Sequence, residues 1–259
     1  MIESEFVNTK VDGNILIVEI NRPEKMNALH PPANRDLGAV FDQFAADKDL
    51  WVAIITGAGD RAFSAGNDLR YQAEGGEMFP VPSGFGGLTN RYDLFKPVIA
   101  AVNGVSMGGG FEIALACDLI IASDNARFAL PEPRVGLAAL AGGMHRLPRQ
   151  IGLKQAMGMM LTGRHVMAAE GKELGFVNEV VPQSELMDAA LRWAGMITEC
   201  SPASVRTTKE VAMKGLDTAN FQDAFSQKYE AISNLFKGPD FIEGPRAFAE
   251  KRKPNWSGE

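Results

Sequence analysis

Two hydrophobic periodicities alternate along the first two thirds of the chain. Residues 15–20 (ILIVEI) are dense in β-branched side chains and stop at Asn21-Arg22-Pro23, which predicts a strand and a turn. Pro31-Pro32 then opens a segment in which Leu37, Val40, Phe41 and Phe44 recur at spacings of three and four, the pattern of a helix. Residues 51–56 (WVAIIT), 98–102 (VIAAV), 119–122 (LIIA) and 176–181 (FVNEVV) are short apolar runs, and they predict further buried strands. Strands of this kind, separated by helices, belong to a largely parallel sheet covered on its faces. Residues 71–90 break the pattern: they are glycine-rich, contain Pro80 and Pro82, and read as a long loop of the lid or binding type. From residue 201 strand patterns stop, and helical runs are expected at 203–214, 221–236 and about 245–253. The expected organisation is therefore a core over residues 1–200 and a helical region over 201–259. No internal repeat is legible.

Composition narrows the function classes. With 259 residues, 46% of them hydrophobic, the chain is long enough to bury a core without disulfides or metals. Its net charge of −6 opposes general binding to nucleic acid backbones. Two cysteines, Cys117 and Cys200, make neither a disulfide scaffold nor a four-ligand zinc site. No apolar run approaches the length of a membrane span, and MIESEFVNTK has no apolar signal-peptide core. These features predict a cytoplasmic location.

Three segments carry candidate chemistry. Gly104-Val105-Ser106-Met107-Gly108 follows a strand and matches the G-x-S-x-G elbow of serine hydrolases. That chemistry needs a histidine base, and His30, His145 and His165 are the only histidines, with none in the last 94 residues. Gly108-Gly109-Gly110 precedes an apolar helical segment. It offers free N–H groups and a helix dipole to negative charge, as a phosphate site or as an oxyanion hole. Glu112, in that segment, is the only charged residue between Lys96 and Asp118. A carboxylate there needs a partner or a proton, and it reads equally as a structural cap or a catalytic group. Glu132 is fixed between Pro131 and Pro133, in backbone suited to holding an acid or base; pairing with Arg134 is the plainer alternative.

Read together, these residues resemble the crotonase, or enoyl-CoA hydratase/isomerase, superfamily. The resemblance runs over nearly the whole chain: residues 21–29 (NRPEKMNAL), 62–69 (AFSAGNDL), 103–112 (NGVSMGGGFE), Pro131-Glu132, 161–164 (LTGR), 174–181 (LGFVNEVV) and 248–254 (FAEKRKP). It implies an α/β, crotonase-like spiral of repeated ββα units, followed by a helical C-terminal region that makes homotrimers or dimers of trimers. It implies an acyl-CoA substrate, no metal and no other cofactor. By position, Asn67 and Gly109 would supply oxyanion-hole N–H groups to a thioester enolate. Glu112 would activate water for attack at Cβ, and Glu132 would protonate Cα. Lys25, Ala28, Ala65, Asp68, Leu69, Phe248 and Lys251 would contact CoA, the last two possibly from a neighbouring subunit.

Having both glutamates favours reversible hydration of a 2-enoyl-CoA over isomerisation, which needs only one of them. Phe111-Glu112 and residues 128–132 (FALPE) look closest to a carnitinyl-CoA dehydratase branch, which is carried as an alternative. An enoyl-CoA isomerase and a serine hydrolase through Ser106 are further alternatives. Some members of the superfamily bind RNA, but no helix here carries a comb of lysines. Two departures bear on the acyl pocket. Asn67 stands where hydratases often have alanine and the carnitinyl branch tryptophan. Leu140 replaces a small residue and is expected to crowd the acyl chain or the water.

Overall fold

A computed structural model describes residues 4–258. In chain order the elements are β1 (Val7–Asp12), β2 (Ile15–Ile20), α1 (Pro31–Ala46), β3 (Val52–Gly57), β4 (Ala62–Ser64), α2 (Leu69–Ala73), β5 (Val98–Val102), β6 (Val105–Met107) and α3 (Gly109–Ala116). There follow β7 (Leu119–Ser123), β8 (Arg127–Ala129), α4 (Gly143–Ile151), α5 (Leu153–Thr162), β9 (Val166–Met167), α6 (Ala168–Leu174), β10 (Glu179–Val181) and α7 (Leu186–Thr198). The chain closes with α8 (Pro202–Leu216), α9 (Phe221–Ser226), α10 (Glu230–Lys237) and α11 (Asp240–Glu250). Among the described residues no helix is long and apolar enough to cross a membrane.

The strands form a six-stranded sheet in the order β1-β2-β3-β5-β7-β10 and a four-stranded sheet in the order β4-β6-β8-β9. All neighbours run parallel except β1 with β2 and β8 with β9. Each of β3, β5 and β7 belongs to the large sheet, and the short strand after it belongs to the small one. A helix follows each pair, so the expected ββα repeat is present three times, as β3-β4-α2, β5-β6-α3 and β7-β8-α4. The alternation of side chains along the central strands explains why both faces are apolar. Ala53, Ile55, Ala100, Val102 and Ala122 face the cluster under α1 and α3. Val52, Ile54, Ile99, Ala101 and Ile121 face Leu186, Ala189, Ala190 and Ala194 of α7.

Several elements differ from the sequence pattern, each for a local reason. β1 is absent from that reading because, as an edge strand, it buries only Val7. Of residues 176–181 only 179–181 pair as a strand. Gly175 closes α6 at φ +96°, and the N–H groups of Phe176 and Val177 both donate to Gly171 O, which turns Phe176 into the core. The run 221–236 is broken where Gln227 turns extended and Tyr229 inserts, its hydroxyl donating to Ala224 O at 2.9 Å. The last helix spans Asp240–Glu250 rather than 245–253, and Lys251 ends it in the left-handed region. The long loop is partly ordered. Its first residues belong to α2, and its distal part is pinned to α1, where Gly86 N–H donates to Asn34 Oδ1 at 2.7 Å and the Arg91 guanidinium meets Gly38 O and Asp42.

Phe111, Phe128 and Phe176 pack mutually at centroid separations of 5.1–5.2 Å, next in sequence to Glu112 and at the junction of α3, β8 and α6. Phe128→Ala is expected to destabilise the fold by about 3–5 kcal/mol, the range for deleting a buried aromatic ring. Denaturant titration would show this as a lower midpoint. A loss below about 1 kcal/mol would mean that the cavity collapses and the trio is not a structural anchor.

Candidate active site

The first turn of α3 is the focus. Gly108 precedes it with φ 53° and ψ −126°. A side chain at Gly110 would strike Ser64 O of β4, and one at Gly109 would strike the Phe85 ring. The glycine run is thus required by close neighbours on two sides, and it leaves the helix start bare. Glu112 follows in that turn and is 3% exposed. Its Oε1 accepts the Gly143 N–H at 2.8 Å. Burial pushes its pKa up to about 7; the Gly143 N–H opposes this, the nearby Glu132 charge reinforces it, and the Ala141 N–H and Arg146 oppose it.

Glu132 opens a short 3-10 turn, Glu132–Val135, between its two prolines. A Cβ on Gly108 would lie 3.1 Å from Glu132 Oε1, so the carboxyl faces the start of α3. Its Oε2 is buried with no hydrogen-bond partner among the described residues, and burial raises its pKa above the usual carboxylate range. The fold therefore brings Glu112 and Glu132 close to each other beside the start of α3.

Asn67 and Gly109 also come together. The Gly66 Cα packs on the β6–α3 turn so closely that a Cβ there would lie 2.6 Å from Met107 O and 3.0 Å from Gly109 N. Leu29 N–H donates to Gly66 O and Asp68 N–H to Leu29 O, a strand-like pairing that skips the Asn67 N–H. Gly109 N–H, at the first position of α3, has no carbonyl one turn earlier in the helix. Among the described residues neither of these two N–H groups has a backbone acceptor. The Asn67 side chain is turned aside, its Nδ2 donating to Gln72 Oε1 at 3.2 Å.

A cavity of about 320 Å³ opens beside this turn, lined by Lys25, Ala28, Asn67, Asp68 and Leu69 together with Arg70. Ala65 is half-buried next to it and donates its N–H to Met26 O. The carboxylate of Asp68 is committed elsewhere, to Arg22 at 3.0 Å and to the Tyr71 N–H at 3.1 Å. Burial pushes the Asp68 carboxyl up, but those two partners outweigh it and hold its pKa low. Phe248 is 87% exposed near the end of α11, and neither it nor Lys251 lines this cavity.

One alternative is corrected. Ser106 is not a nucleophile on an exposed elbow: it lies mid-strand in β6, wholly buried and paired between β4 and β8. His30 caps α1 between the rings of Phe6 and Tyr71, while His145 and His165 are on the surface, so the hydrolase alternative has neither nucleophile nor base. Leu140 is 81% exposed, so it is not packed into the core beside the glutamates. The sequence reading missed the role of the 141–143 turn, which holds Glu112. Its signal was the glycine pair Gly142-Gly143, a turn without an assigned task. Among the described residues no group of three or more His, Cys, Asp or Glu side chains is arranged to hold a metal ion.

Comparison with known proteins shows the family and the fold. A family model described as enoyl-CoA hydratase/isomerase matches residues 10–259. Carnitinyl-CoA dehydratase of Proteus mirabilis is 41% identical over 261 residues, covering 98% of this chain and 99% of the relative. The Escherichia coli K12 protein of the same name is 42% identical with the same coverage. Among solved structures, an enoyl-CoA hydratase from Mycobacterium tuberculosis superposes with a TM-score of 0.93 at 38% identity, covering 99% of this chain and all of that one. One from Bacillus anthracis gives 0.91 at 33% identity, over 98% of this chain and all of that one.

Proposed function

This chain belongs to the enoyl-CoA hydratase/isomerase family, and from that premise we propose a hydro-lyase that adds water reversibly to a 2-enoyl-CoA thioester. The observation that carries the reading is the pair of carboxyls, Glu112 buried and Glu132 half-buried with its Oε2 enclosed, beside two N–H groups that have no backbone acceptor among the described residues. The thioester oxygen accepts from Asn67 and Gly109 N–H, which stabilise the negative charge that develops there. Ionised Glu112 removes a proton from water as its oxygen bonds to Cβ. The π electrons move through Cα into the enolate. Protonated Glu132 then delivers its proton to Cα, and dehydration reverses each transfer. CoA lies along Lys25, Ala28 and Leu69, with Lys25 as a cation for its phosphates. Asp68 serves this site by clamping Arg22, whose guanidinium also holds the Ala28 carbonyl.

Exposed Leu216, Phe221 and Phe225 on the C-terminal helices support self-association, as a homotrimer or a dimer of trimers in which a neighbouring copy would supply Phe248 and Lys251 to CoA. The division near residue 200 belongs to the same proposal, with the helices from Pro202 onward as the assembly region.

The chemistry requires one proton on the carboxyl pair, so the pair titrates as a unit. Activity should fall at low pH as both glutamates become protonated and at high pH as both ionise. Because burial raises both carboxyls, the acid limb of kcat/KM for hydration is expected above the ordinary carboxylate range. A limb in the ordinary carboxylate range would contradict the buried-base assignment.

A second reading, a carnitinyl-type 3-hydroxyacyl-CoA dehydratase, is favoured by the names of the relatives at 41–42% identity. Comparing kcat/KM for crotonyl-CoA and crotonobetainyl-CoA decides between them. The proposed general hydratase turns over crotonyl-CoA at least as well. A preference for the cationic substrate of about a hundredfold or more, beyond what one methylene contributes, would install the second reading.

A further inference from the structure

Arg146 is a guanidinium removed from most solvent without a carboxylate to pair with. It projects from α4. Among the described residues no Asp or Glu lies within ion-pair distance of it. Instead its Nη2 donates to Thr89 O at 2.9 Å and its Nη1 to Ala141 O at 3.4 Å. The guanidinium lies so close over Gly142 that a side chain there would strike Nη1. A buried cation costs free energy unless its surroundings repay it, and two neutral carbonyls are weak payment for a purely structural role.

The segments it joins are the two that shape the candidate site. Ala141 and Gly143 present their N–H groups to Glu112, so Arg146 grips the same turn from its carbonyl side. Thr89 closes a tight turn with Phe85: its Oγ1 accepts the Phe85 N–H at 2.8 Å, and Phe85 covers Gly109. One side chain thus spans from the holder of the carboxylate to the cover of the oxyanion donor. Lys, with one compact ammonium, cannot match a planar fork that reaches two carbonyls on separate segments.

We propose that Arg146 is a positioning residue: its two-carbonyl clamp sets the 141–143 turn, and with it Glu112, relative to the Gly109 donor. This rests on the reading of Glu112 as the water-activating base. Glu132 and Arg146 are the charged groups that face Glu112, along with the N–H groups of Gly143 and Ala141. Tyr92, Cys117 and Glu112 face Arg146. Removing the guanidinium therefore removes a cation that favours the ionised form of Glu112 against burial.

The test is crotonyl-CoA hydration by Arg146→Met and Arg146→Lys in the full chain, with Glu112→Gln alongside. Arg146→Met is expected to lose on the order of ten- to a hundredfold in kcat, the scale of a misplaced catalytic group, with little change in KM. Its acid limb should move to higher pH. Arg146→Lys keeps a charge and should keep the wild-type limb while still losing kcat, and it remains informative if the Met variant fails to fold. An Arg146→Met enzyme that loses thermal stability but keeps the wild-type kcat and pH profile would overturn the proposal. So would an Arg146→Lys enzyme with full kcat. If Glu112→Gln itself retains full activity, the base assignment fails, whatever the Arg146 variants do.

Discussion

Glu112→Gln is expected to lower kcat for hydration by about three orders of magnitude, within the range for loss of a general base. The amide has nearly the same shape, and its oxygen can still accept the Gly143 N–H that holds Glu112 at 2.8 Å. What it lacks is the ability to take a proton from water. KM should change little, because the cavity assigned to CoA lies around Lys25 and Asp68 and not at Glu112. The same variant separates the chemistries of the family. Double-bond isomerisation needs one carboxyl to shuttle a proton between two carbons, so an isomerase working through Glu132 would survive the change. Steady-state hydration of crotonyl-CoA with purified Glu112→Gln checks this. Activity within a factor of about ten of wild type would exclude Glu112 as the base.

Gly66→Ala tests the other half of the site. The new Cβ would meet Met107 O at 2.6 Å and Gly109 N at 3.0 Å, and both neighbours are backbone that cannot rotate away. Gly66 also sits at φ +89°, where a side chain adds strain of about 1–2 kcal/mol. Relief requires the Asn67 and Gly109 segments to part, which misplaces both N–H donors at once. Loss of one oxyanion donor costs roughly 10²–10³ in kcat, so a decrease of at least that size is expected. Gly13→Ala is the control: it carries a positive φ of 55° in the β1–β2 turn but meets nothing within 4 Å. It should leave kcat unchanged while costing some stability. Equal effects of the two changes would mean that strain, and not donor geometry, is being measured.

The features legible in the sequence are those that repeat or stand out. The β-branched runs that became β3, β5 and β7 are almost wholly buried, and β2 buries alternate residues, so their composition announces them. Glu112 was conspicuous because an apolar helix rarely carries a lone carboxylate, and Glu132 because prolines flank it. The second strand of each ββα unit was not legible: β4, β6 and β8 have three residues each, too few to show alternation. For that reason Ser106, the middle residue of β6, passed for the tip of a turn. The meeting of Glu112 with Gly143 spans 31 residues and follows no periodicity, so only the folded chain reveals it. The same holds for Arg146, whose partner Thr89 lies 57 residues away in the chain.

The most direct test of the central claim is hydration of crotonyl-CoA, followed as loss of enoyl-thioester absorbance, by wild type and Glu132→Gln. The account predicts turnover by wild type and a collapse of about 10²–10⁴-fold in the variant, with CoA binding retained, because the buried Glu132 carboxyl can no longer deliver its proton to Cα. Undiminished turnover by Glu132→Gln would contradict it.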